Sequence, residues 1–139
     1  LGDVYKRQIS GMSRTTGREE IVKAGCECIA YQINDVIDAM RKDSEIDISQ
    51  MCVDGGPTRN KYLMQFQSDI SQTEIKIPDA EELSVIGAGY LAGESAGYYE
   101  PDDIYKAITY NFFETEMPEQ ERNEKVQGWN EAVEMLLKK

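Results

Sequence analysis

A chain of 139 residues suits one domain with a sizeable core, and 40% hydrophobic against 29% charged residues is a globular balance, neither disordered nor membrane-spanning. The net charge of −11 argues against nucleic acid or an anionic membrane as a partner, since both call for a basic surface, so an anionic ligand must be held by local groups. The absence of histidine excludes imidazole-based triads and histidine-ligated zinc, and no apolar run reaches the ~20 residues that cross a bilayer.

Leu1–Gln8 is mixed polar sequence without the features of a secretory signal, and Leu1 is not an initiator methionine. The expectation is a piece of a longer protein whose residues 1–8 are foreign to it. Thr16-Gly17-Arg18-Glu19 has the form of a capping box. Behind it Val22, Cys26, Ile29, Ile33, Val36 and Met40 recur at steps of four and three. Together with Ile21 and Ile37 they predict a core-facing helix that ends near Lys42, with Arg41 and Lys42 suited to its C-terminus.

Asp43–Asp47 reads as a turn and Ile48–Val53 as a strand. Asn60–Ile70 reads as a helix, and Glu74–Ile77 as a short strand stopped by Pro78. Strand, helix and strand in so short a span predict a right-handed crossover in a parallel sheet. Between the first strand and its helix stands Asp54-Gly55-Gly56. Glycines at this junction let a ligand approach bare backbone, and the helix start offers unpaired N–H groups. Many α/β proteins make the same joint with no ligand, and both readings stand on these residues alone. Asp54 is expected to fix the turn by accepting backbone N–H bonds, and is not read as catalytic. Arg59 and Lys61 are read as solvated surface.

Ser84–Gly97 predicts a third helix with Gly89, Gly93 and Gly97 on one face. Interior glycines cost about 1 kcal/mol each against alanine, so another helix or a ligand is expected close to that backbone. Pro101–Ile108 reads as a short helix, Thr109–Met117 as irregular or extended, and Glu119–Leu137 as a terminal helix with Val126, Trp129, Val133 and Leu136 on one side. Cys26, Cys28 and Cys52 make no disulfide framework, and two cysteines two apart on a helix cannot clasp one metal. They read as small buried hydrophobes in a reducing compartment.

Several of these segments also carry a family likeness. Gly11-Met12-Ser13-Arg14-Thr15, Glu27-Cys28-Ile29-Ala30-Tyr31-Gln32 with Asp35-Val36, and Val53-Asp54-Gly55-Gly56 with Asn60 and Leu63-Met64-Gln65-Phe66-Gln67-Ser68-Asp69 form a recognisable series. Glu82 with Ser84, Gly87-Ala88 and Tyr90-Leu91-Ala92-Gly93 continue it. From Ile9 onward the chain resembles the C-terminal region of glycerol kinases, within the sugar and polyol kinases that share an actin-like (ribonuclease H-like) ATPase fold. The resemblance implies an α/β fold and assigns residues 9–139 to the C-terminal, nucleotide-binding domain. It implies ATP-dependent phosphoryl transfer to a primary alcohol of glycerol or a similar polyol, in a cytoplasmic, optionally homo-oligomeric enzyme. Gly56 and Asn60 fall on positions that contact adenosine in relatives, and Gly55 shapes the same turn. Pro57 departs in type from the alanine frequent there, yet proline is accepted in a first helical turn.

The family's catalytic base, polyol pocket and phosphate loops lie before Ile9. No residue here is expected to be catalytic or a metal ligand, Mg²⁺ is left mainly to the remainder, and the fragment is expected to be inactive alone. A kinase for a different sugar or polyol, and a non-enzymatic actin-like nucleotide-binding module, are the alternative readings.

Overall fold

The computed structural model describes residues 8–79, 83–98, 100 and 108–137. Of the sequence expectations, Leu1–Gln8 except Gln8, Glu82, and Pro101–Ile108 except Ile108 lie outside these residues. In chain order the elements are α1 (Arg18–Ser44), β1 (Gln50–Cys52), a 3₁₀ turn (Gly56–Arg59), α2 (Lys61–Ser71), β2 (Glu74–Pro78), α3 (Leu83–Ser95), β3 (Tyr110–Phe113) and α4 (Glu119–Leu137).

β1 and β2 pair in parallel, with Met51 opposite Ile75, and α2 makes the crossover between them. This is the expected unit. The Thr109–Met117 segment, read as irregular or extended, supplies β3, which runs antiparallel to β2 with Ile75 opposite Phe113. The sheet is therefore mixed, in the order β1-β2-β3. Pro78 ends β2 opposite Tyr110 and does not precede the pairing, a difference of one residue from the expected stop.

α2 is the centre of the structure. Leu63, Met64, Phe66 and Ile70 join Ala30 of α1 and Ile75 of β2 in the core. Ile70 and Ile75 are fully buried, each stabilising the fold by about 1.5–3 kcal/mol. The polar residues of α2 are buried as well, and they serve neighbouring backbone. Ser68 Oγ donates to the Phe113 carbonyl (2.9 Å), and Asp69 Oδ1 accepts from the Glu116 and Met117 N–H groups (2.8 and 3.1 Å). These bonds fasten β3 and the start of α4 to α2.

α1 corrects the sequence reading twice. Its cap is Gly17, whose N–H donates to Glu20 Oε2 (2.8 Å), because Thr16 Oγ1 is already accepting from the Ser13 N–H (2.9 Å). Backbone N–H groups, first that of Glu20 and then that of Gly17, hold the Glu20 carboxyl below its ordinary range. The buried face is also displaced. Ala30, Asn34 and Ile37 are buried, Ile37 as expected, and Ala30 joins the core with α2, while Val22, Ile29, Ile33, Val36 and Met40 are exposed. A small residue and a polar one mark the buried face, and hydropathy alone ranks both below the isoleucines beside them. Asn34 is half satisfied: its Nδ2 donates to Asp38 (3.0 Å), while its buried Oδ1 has no partner among the described residues.

Arg41 does more than suit the end of α1. Its guanidinium donates to the carbonyls of Ser71 (2.9 Å) and Ile48 (2.9 Å) and to Thr73 Oγ1 (2.8 Å), tying α1 to both ends of the crossover. At the other side Trp129 of α4 stacks on Tyr31 with centroids 5.2 Å apart, and its Nε1 donates to Asp35 (2.9 Å). Burial, helped by the nearby Glu27 charge, pushes the Tyr31 hydroxyl up to about 12.

Two further expectations change. Cys52, read as buried, is exposed, and Cys26 and Cys28 are only partly buried. A side chain added at Gly89 or Gly97 would meet nothing within 4 Å among the described residues, so the close approach expected there is not seen at these two glycines.

Candidate functional site

The turn after β1 holds Gly55, Gly56 and Asn60 within six residues, at the carboxyl end of a parallel strand. That is the edge of an α/β sheet where ligands habitually sit, because helix starts and loops converge there. The first glycine is needed for the backbone. Gly55 has φ 100° and ψ 174°, a conformation essentially closed to residues with a Cβ. Its carbonyl accepts from both the N–H (3.0 Å) and the Oγ1 (2.7 Å) of Thr58, which closes the 3₁₀ turn.

Thr58, by donating, closes the turn that Asp54 was expected to fix by accepting. The Asp54 carboxylate is exposed and makes no hydrogen bond among the described residues. Pro57 sits in the first turn of the 3₁₀ segment, where its missing N–H costs nothing.

The second glycine has no such backbone need. Gly56 is exposed, its φ is not positive, and a Cβ placed on it would meet nothing within 4 Å. The space above it is open.

Asn60 caps α2. Its Oδ1 accepts from the Leu63 N–H (3.2 Å), and its Nδ2 points to Cys26 Sγ at 3.8 Å. The sequence reading assigned this amide to a ligand and missed the capping role, although asparagine immediately before an apolar-periodic run is a helix-start signal. Both roles fit one residue, since the cap uses the oxygen and leaves the amide nitrogen weakly engaged. Asn60→Ala is expected to lower stability by about 1 kcal/mol through the lost cap, read as a shift in the urea midpoint.

α1 braces the turn from behind. The Tyr62 hydroxyl donates to Glu27 Oε1 (2.5 Å), and Lys23 stands 3.7 Å from the same carboxylate. Burial first, and then the Glu27 bond, hold the Tyr62 hydroxyl far above its ordinary range, so it stays a neutral donor. Arg59 and Lys61 are exposed beside the turn, and no acidic residue occupies the first turn of α2.

A separate cavity of about 320 Å³ lies between α1 and α4, lined in part by Asn34, Asp35, Asp38, Lys42 and Asn130. No residue of the glycine turn lines it. Among the described residues no group of acidic or cysteine side chains could hold a metal ion.

A sequence profile of the FGGY family of carbohydrate kinases, C-terminal domain, matches residues 5–96. The glycerol kinase of Natranaerobius thermophilus is 44% identical over 137 residues, which are 97% of this chain and 28% of that protein. That of Vibrio parahaemolyticus is 42% identical over 134 residues, covering 94% of this chain and 26% of that protein. Among solved structures, Plasmodium falciparum glycerol kinase with ADP superposes with a TM-score of 0.83 at 36% identity, over 92% of this chain and 26% of that one. The chain thus spans about a quarter of the length of the curated relatives it matches.

Proposed function

Because the chain belongs to the FGGY family of carbohydrate kinases, we propose that residues 9–139 are the C-terminal portion of the nucleotide-binding domain of an ATP-dependent glycerol kinase. The parent enzyme, cytoplasmic in this reading, transfers a phosphoryl group from ATP to a primary hydroxyl of glycerol. Gly55, Gly56 and Asn60 seat the adenosine half of the nucleotide.

One observation carries the reading. Gly56 is a glycine that the fold itself does not need, set in open space at the carboxyl end of a parallel strand. A ligand resting on that backbone supplies the missing reason. The likeness to glycerol kinases over nearly the whole chain supports glycerol as acceptor, and the ADP named with the Plasmodium enzyme supports an adenine nucleotide.

ATP brings the transferable group, and Mg²⁺ neutralises charge on its phosphates. In this reading that ion, with the catalytic base and the polyol pocket, belongs mainly to the rest of the parent. The 139-residue chain, given ATP, Mg²⁺ and glycerol, is accordingly expected to consume no ATP above a control without protein. A full-length chimera, in which the chain replaces the matching region of the Natranaerobius kinase, is expected to show glycerol-dependent ATP consumption. Turnover by the chain alone, or a folded chimera that binds no nucleotide, contradicts the proposal.

A further inference from the structure

The stripe of α1 that the sequence marks as core is left uncovered among the described residues. Val22, Ile29, Ile33, Val36 and Met40 are between 37% and 59% exposed. With the half-buried Cys26 they repeat at steps of four and three, so they fall in one narrow seam, about 27 Å long at the rise of an α-helix. No charged residue interrupts the seam. Gly25, Gln32 and Ala39, along its outer flank, are uncharged too.

We infer that this seam is an internal packing face that receives the upstream portion of the parent polypeptide. The inference rests on the reading of the chain as part of a longer kinase. Three observations select that occupant over a second copy of the chain. The seam adjoins Ala30, which already packs in one core with Leu63, Met64 and Phe66 of α2, so whatever covers it extends the same core. Its flank lacks the charges by which surface helices choose and orient a partner. β1, an edge of the sheet among the described residues, has only three residues, far too short to underlie a seam of this length. An uncovered edge and an uncovered helix face are both relieved by more of the same fold, and the matched relatives hold roughly three times as much additional chain.

Thiol accessibility tests this. Cys26, Cys28 and Cys52 are replaced by alanine, and Val36→Cys or Val22→Cys is introduced into both the 139-residue chain and the chimera. Gln127→Cys, on an exposed position of α4, serves as reference. The account expects both seam thiols to react at least tenfold more slowly in the chimera than in the chain, with the reference thiol unchanged. Equal rates in the two proteins overturn it. So does protection in the chain alone that grows with its concentration, which assigns the seam to a second copy. An unfolded chimera also counts against it, because a face built for that upstream portion should accept it. A chimera with protected thiols but no glycerol-dependent ATP consumption leaves this inference standing and overturns the kinase reading instead.

Discussion

Asp69→Ala is expected to destabilise the chain by about 3 kcal/mol, read from urea unfolding. The carboxylate is 7% exposed, and Oδ1 accepts from the N–H groups of Glu116 and Met117 and from Gln65 Nε2. Alanine leaves two backbone donors of the β3–α4 connection without a partner, and each part-buried orphan costs about 1–3 kcal/mol. Asp69→Asn keeps one acceptor oxygen and should cost markedly less. Equal losses in the two variants would show that the effect comes from packing and not from these bonds.

Gly55→Val and Gly56→Ala should separate sharply despite being neighbours. At Gly55 the backbone stands at φ 100°, so a β-branched side chain is strained by about 1–3 kcal/mol and pulls on the Thr58 bonds that close the turn. At Gly56 the backbone is ordinary and the added methyl meets nothing, so stability should stay within about 0.5 kcal/mol. Thermal unfolding of both variants checks the order. A Gly56→Ala variant as damaged as Gly55→Val means that the second glycine is structural after all.

The crossover unit and the glycine turn were legible in the sequence because their signals are local. An apolar run, a double glycine and a helical period need no knowledge of the rest of the fold. The packing of α1 was not legible. Its contact with α2 runs through Ala30, whose burial depends on neighbours 30 or more positions away, while its strongest apolar period faces outward. The sequence marked that stripe as buried, and in the proposal above it is, against chain that these 139 residues do not contain.

β3 was read only as irregular or extended for a similar reason. Tyr110–Phe113 has no clean alternation, and it becomes a strand because Ser68 and β2 satisfy its backbone. The glycines of α3 gave a correct expectation of helix and an uncorroborated one of close approach. At the turn, sequence reasoning placed Gly55, Gly56 and Asn60 together, but did not distinguish the glycine that the backbone requires from the one that it does not. It also expected Asp54 to fix the turn by accepting N–H bonds, whereas the turn is closed by bonds that Thr58 donates to the Gly55 carbonyl.

In this proposal Gly56, unlike Gly55, is a glycine that the ligand requires and the backbone does not. Calorimetric titration of ADP into the chimera and its Gly56→Val variant tests this directly. The account predicts at least tenfold weaker ADP binding in the variant, about 1.4 kcal/mol, with unfolding temperature and glycerol affinity unchanged. ADP affinity equal in the two proteins would contradict the assignment of the nucleotide to this turn.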